Sequence, residues 1–156
     1  MGGGGTYRVE TAAPAAPELR DQVRAGLLAF NQTRSSAFAP FTPTDLGEQP
    51  LDALAFDAGG RLVGGLLGRT RWDWLEIQEV WVAEAHRQMR VGQRLVREAE
   101  TAARARGCRH AYLRTYSFQA LAFYERLGYR VVGELDGWPP GHTSYWMRAD
   151  WPERVD

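Results

Sequence analysis

The sequence predicts an α/β fold in a single domain, a mixed central sheet of about six to seven strands flanked by about four helices. Three observations carry this. The second half reads β-α-β-α-β-β, an alternation that places neighbouring strands parallel across a helical crossover. Before it lies a strand meander, in which Leu51–Phe56 and Leu62–Thr70 are joined by Asp57-Ala58-Gly59-Gly60, a hairpin signal. The chain has 156 residues, 44% hydrophobic and 24% charged, the size and balance of one globular domain.

Residues 1–5 read as a flexible polyglycine tail before a domain over residues 6–156. Met1 to Thr6 also matches a myristoylation pattern, but no polybasic stretch or second lipid site follows it. Thr6–Glu10 is predicted as a short first strand. Pro17-Glu18 opens a helix, since proline suits the first helical position and an acid suits the positive end of the dipole. Leu19, Val23, Leu27 and Phe30 form its apolar stripe. Ser35–Pro50 holds three prolines and reads as an irregular loop or short helix. Trp74–Val82 is a third strand of the meander. Val91–Arg106 is an amphipathic helix with Arg94, Arg97, Glu100 and Arg104 outward, Glu100 set to pair with Arg104, and Gly107 as its cap. His110–Thr115 is a strand. Ser117 caps a helix through Leu127, with Tyr116 and Leu121 as a hydrophobic staple. Strands over Tyr129–Leu135 and Thr143–Arg148 close the chain.

Charge excludes several chemistries. The 19 basic residues balance 19 acidic ones and are all arginine. Without lysine there is no Schiff-base nucleophile and no P-loop lysine. A net charge of zero gives no bulk attraction to nucleic acid. Cys108 is the single cysteine, and His86, His110 and His142 lack metal-ligand spacing, so no metal site is expected. One free thiol fits a reducing, cytoplasmic setting. No apolar run approaches a membrane span.

The most informative segment is Val80-Trp81-Val82, a turn, then Arg87-Gln88-Met89-Arg90-Val91-Gly92 opening a helix. Amides at a helix start lack partners and sit at the positive end of the dipole, so they bind phosphate without lysine. Arg87 and Arg90 add planar donors, and Gly92 permits close backbone approach. An ordinary strand-turn-helix with arginines has the same pattern, so the segment takes its meaning from a second one. That is Ser117-Phe118-Gln119-Ala120-Leu121-Ala122-Phe123-Tyr124-Glu125-Arg126-Leu127-Gly128-Tyr129, one strand later.

With both segments, the chain from about Leu75 onward resembles the Gcn5-related N-acetyltransferases, the GNAT superfamily. The run Thr115–Ala120 and Pro139-Pro140-Gly141-His142 resemble a common bacterial branch of it. The resemblance implies that acetyl-CoA, as cosubstrate, is held by Val80, Trp81, Val82, Arg87, Gln88, Met89, Arg90, Val91, Gly92, Gln93, Ser117 and Tyr124. It implies Tyr124 beside the thioester, as acid for the departing thiolate, and a primary amine on a small molecule or peptide as acceptor. A homodimer is implied by resemblance alone. Arg90 stands where the family has a glycine, and Ser117 where it has an asparagine. A catalytically degenerate acyl-CoA-binding module is the alternative that Arg90 keeps open.

Glu76 and Glu79 are the candidate bases. Three residues apart on a regular strand, they face opposite ways, so only one meets the cleft. Glu79, acting through water, is the choice. Trp72, Asp73, Trp74, Trp138, His142 and Tyr145 are expected to line an aromatic acceptor pocket.

Overall fold

The computed structural model describes residues 7–152, so the expected tail lies outside the described residues. Residues up to Gly47 and those from Glu48 onward form separate compact units. In the first, α1 spans Pro17–Arg34, with proline in its first turn, Glu18 beside it and Arg34 at the other end. Leu28 is its buried residue, whereas the expected stripe of Leu19, Val23, Leu27 and Phe30 is exposed. Periodicity tells which side chains share a face, not what covers it. Tyr7–Glu10 form no strand, contrary to expectation. No strand among the described residues pairs with them, and a lone strand leaves its backbone groups to water. The proline-rich stretch contains one 3-10 turn, Ser36–Phe38, capped by the Ser35 hydroxyl, in place of a fourth helix.

The second unit holds β1 (Gln49–Phe56), β2 (Leu62–Arg71), β3 (Trp74–Val82), α2 (Val91–Ala105), β4 (His110–Tyr116), α3 (Leu121–Arg126), β5 (Arg130–Asp136) and β6 (Thr143–Asp150). These six strands form one mixed sheet in the order β1-β2-β3-β4-β6-β5. Only β3 and β4 pair in parallel, across the crossover made by α2. Leu95, Val96, Ala99 and Ala103 of α2 are buried in a core shared with Leu66, Leu75, Ile77, Leu113 and Met147. Gly64 lets the helix approach closely, because a Cβ there would lie 3.2 Å from Val91 and 3.3 Å from Leu95. Gly107, at φ +89°, ends α2.

Glu100 departs from its expected outward place. It is 4% exposed, and it bonds Arg97 and Tyr129 instead of Arg104. The helix beyond Tyr116 also starts later than expected. Ser117 does not cap it, and the Gln119 side-chain carbonyl folds back to accept from the Tyr116 amide at 3.2 Å and the Thr115 hydroxyl at 3.3 Å. Tyr116 stacks on Phe118 and makes no staple with Leu121.

Two features of β3 create the site. Parallel pairing with β4 stops at Ile77 opposite Leu113, and the strands part beyond it. Against β2, Leu67 opposes Glu79 while Gly68 opposes Ile77, so Gln78 is an extra residue, a β-bulge. The bulge reverses the alternation. Leu75 and Ile77 before it, and Val80 and Val82 after it, all pack into the α2 side of the sheet. Glu76 and Glu79 therefore share the opposite face, correcting the regular-strand expectation. Gly68 sits across from the bulge with no room for a side chain, since a Cβ would lie 2.6 Å from the Glu76 carbonyl oxygen. Gly68→Ala is expected to destabilise the fold by about 1–3 kcal/mol, because backbone must move to admit the methyl. Gly65→Ala, whose methyl would meet the flexible Leu54 side chain at 3.3 Å and the Ala53 carbonyl at an ordinary 3.7 Å, serves as control in denaturant titrations.

Candidate active site

Two cavities open where β3 and β4 part. The first, about 600 Å³, is bounded by Val80 and Val82, the turn from His86 to Gln93 apart from Met89, and the α3 residues Phe123 and Tyr124. The second, about 670 Å³, is bounded by Gln78 to Val82 on β3 and Leu113 to Thr115 on β4. Val80, Val82, Arg87, Ala120 and Tyr124 border both.

Of the residues expected to hold the cosubstrate, Val80, Val82, Arg87, Gln88, Arg90, Val91, Gly92, Gln93 and Tyr124 come together around the first cavity. Trp81 borders the second cavity instead. Met89 is exposed and borders neither. Ser117 also borders neither; its hydroxyl oxygen accepts from the Thr143 amide at 3.3 Å and lies 3.2 Å from His142 Nδ1. His86, Ala120, Phe123, Arg126 and Leu127 join the first cavity unforeseen. Helical spacing was the available signal for three of them, since Phe123 and Arg126, and Tyr124 and Leu127, are three apart on one short helix.

The turn before α2 is built by left-handed residues without glycine. Gln88 has φ +64° and Arg90 φ +61°, ψ +15°. Arg90 thus takes up the backbone conformation that glycine adopts most readily. Arg87 folds back, its Nε donating to the Val82 carbonyl at 3.2 Å. No side chain caps α2, so its first-turn amides remain available to a ligand at the positive helix end. Arg87, Arg90 and Arg126 all line the same cavity.

Tyr124 is 7% exposed, and burial pushes its phenol up to about 12. Its ring meets those of Phe123 at 5.0 Å and Tyr129 at 5.9 Å, both edge to face. Of the two glutamates, Glu79 borders the second cavity with Tyr124, exposed and without an ion pair among the described residues. Glu76 is engaged by the Arg69 Nε, and Arg69 also reaches Glu48 at 2.7 Å. Burial and Glu76 together raise the Tyr112 phenol to about 12.

The expected acceptor residues do not converge. Trp72 and Trp74 border a third cavity of about 400 Å³ with Glu48, Arg69, Glu76 and Tyr112. Asp73 lies 3.6 Å from His110, Trp138 is exposed, and Tyr145 packs against the core. His142 packs its ring on Phe118. Their separation follows from strand alternation and the hairpin tip, which point near neighbours in different directions.

The model of the acetyltransferase (GNAT) family matches residues 19–129. The chain belongs to the GNAT acetyltransferase family. It is 38% identical over 124 residues to a blasticidin-S acetyltransferase of Streptomyces morookaense, covering 76% of this chain and 91% of that protein. Among solved structures, an acetyltransferase from Bacillus cereus superposes with a TM-score of 0.76 at 23% identity, covering 90% of this chain and 97% of that one. An aminoglycoside 6'-N-acetyltransferase solved with coenzyme A gives 0.60 at 22% identity, covering 94% and 98%. At such identities the likeness is one of fold.

The GNAT acetyltransferases use acetyl-CoA, and the first cavity suits that molecule. Uncapped amides and guanidinium groups fit phosphate, and the parted edge of β3 fits an extended arm. Arg90→Gly is expected to be more stable than Arg90→Ala by about 1 kcal/mol, because both delete the side chain and only alanine keeps the left-handed strain. Thermal denaturation of the pair measures the difference.

Proposed function

We propose that this acetyltransferase moves the acetyl group of acetyl-CoA directly to the primary amine of a small molecule, with Tyr124 as acid and Glu79 as base through water. The observation carrying this reading is that Tyr124 borders both cavities, one holding the phosphate-binding turn and the other holding Glu79. Bound acetyl-CoA supplies a thioester, whose departing thiolate belongs to a thiol of pKa about 8.5. A phenol raised to about 12 stays protonated at neutral pH, so Tyr124 presents its proton at Oη. The same exclusion of water strengthens a hydrogen bond from that phenol to a charged sulfur.

Glu79, open to solvent, takes a proton relayed by water from the amine, while Arg69 keeps Glu76 occupied. Beyond Ile77 the β4-facing edge of β3 has no strand partner. Its amides there, at Val80 and Val82, are our candidates for aligning an extended arm as an added strand and polarising the acyl carbonyl. The 38% identical relative is named for blasticidin S, which makes an amine-bearing antibiotic the first acceptor to test.

Release of free thiol from acetyl-CoA with a panel of amines, blasticidin S included, tests the reading. Turnover on a small amine is expected; binding without turnover on any amine favours the acyl-CoA-binding module. Tyr124→Phe is expected to lower kcat by roughly 10²-fold, and an unchanged kcat rejects the tyrosine acid. Because the acid form persists until pH approaches about 12, Tyr124 contributes no loss of kcat between pH 7 and 10. Glu79→Gln is expected to lower kcat by roughly 10²-fold. An unchanged kcat in this variant assigns the base elsewhere.

A further inference from the structure

The only buried carboxylate among the described residues is Glu100, and the mechanism above makes no use of it. It sits on the apolar face of α2 beside Leu95, Val96, Ala99 and Ala103. Taking a carboxylate out of water is costly unless its oxygens are well satisfied. Here both are. Tyr129 Oη donates to Oε1 at 3.0 Å, and Arg97 donates from one nitrogen to Oε2 at 2.7 Å. The other terminal nitrogen of Arg97 donates to the Leu127 carbonyl at 3.2 Å, satisfying a group that the end of α3 leaves open.

Both links end on the turn that closes α3. That helix has six residues and no side-chain cap, too short to hold its place by its own hydrogen bonds. Tyr129 is tied to Tyr124 twice more: its amide donates to the Tyr124 carbonyl at 3.0 Å, and its ring lies edge to face with the Tyr124 ring. The chain Arg97–Glu100–Tyr129 thus fixes the catalytic phenol relative to α2, the helix whose first turn borders the same cavity.

We propose that Glu100 and Tyr129 are positioning residues for Tyr124, setting the span between the phosphate-binding turn and the acid. This rests on the proposed role of Tyr124. A helix-end anchor needs only to keep α3 folded, whereas a positioning device acts on the turnover of folded enzyme through one other residue. Small displacements of a reacting group are enough for large rate losses.

The test is a double-mutant cycle on kcat with Tyr129→Phe and Tyr124→Phe, at a temperature where circular dichroism shows every variant folded. Tyr129→Phe removes one hydroxyl and keeps the ring. It is expected to lower kcat roughly 10- to 100-fold with KM for acetyl-CoA changed less than about threefold, and to add little when Tyr124 is already phenylalanine. Glu100→Gln, which retains an acceptor for Tyr129, is expected to keep more of kcat than Glu100→Ala. The inference is overturned if Tyr129→Phe lowers the melting temperature alone, or if its effect multiplies fully with that of Tyr124→Phe. An unaffected Tyr124→Phe defeats the acid role itself, and this inference with it. If one of these variants fails to fold, Arg97→Met, which cuts the link to Leu127 from the half-exposed side, replaces it in the cycle and is judged by the same non-additivity.

Discussion

Parallel pairing between β3 and β4 runs for four residue pairs, from Trp74 opposite His110 to Ile77 opposite Leu113. Up to that point the strands are held by their own hydrogen bonds and the core beneath them. Past it, each strand has a free edge inside the molecule, which folding would ordinarily forbid unless something else satisfies the backbone. The loop, α2 and α3 converge on that opening. The two cavities are the two sides of one interruption in the sheet, and Tyr124 stands between them.

Much of this was legible in the residues. The hairpin at Asp57–Gly60, the amphipathic α2 and the turn feeding it follow from local spacing and from glycine and proline placement. The turn from Arg87 to Gly92 could be picked out as a candidate because its parts are contiguous, and most of it lines one cavity. The rest needed partners that no local pattern names. Tyr7–Glu10 has strand-like residues and lacks a neighbour. Glu100 looks like a surface charge in any helical wheel, and only the return of the chain at Tyr129 gives it a reason to be buried. Ser117 has the composition of a cap, yet its hydroxyl turns to the Thr143 amide, and no side chain caps α3. The bulge at Gln78 was invisible for a different reason: nothing in Glu76-Ile77-Gln78-Glu79 marks an extra residue until β2 is laid beside it.

Arginine carries the roles that lysine would share in other chains. Arg69 holds two carboxylates at once, Arg97 holds a carboxylate and a carbonyl, and Arg106 reaches the Pro50 carbonyl at 3.0 Å and the Thr70 hydroxyl at 3.2 Å. Arg69 and Arg97 each use two nitrogens of one planar group on separate partners, a geometry a single ammonium point charge does not offer, while Arg106 serves both of its partners from one terminal nitrogen. The absence of lysine therefore leaves these ties between elements to arginine.

The extra residue in β3 behaves like a shift of reading frame. Upstream of Gln78, Leu75 and Ile77 face the core; downstream, Val80 and Val82 do, and the two sets are in phase only because one residue goes uncounted. Straightening the bulge at constant length would leave the composition unchanged, yet turn both valines outward and Trp81 inward. Substitutions along this stretch alter one side chain at a time. Loss of the bulge rewrites every position as far as the turn, so here the pairing with β2 constrains the strand more strictly than any one side chain does.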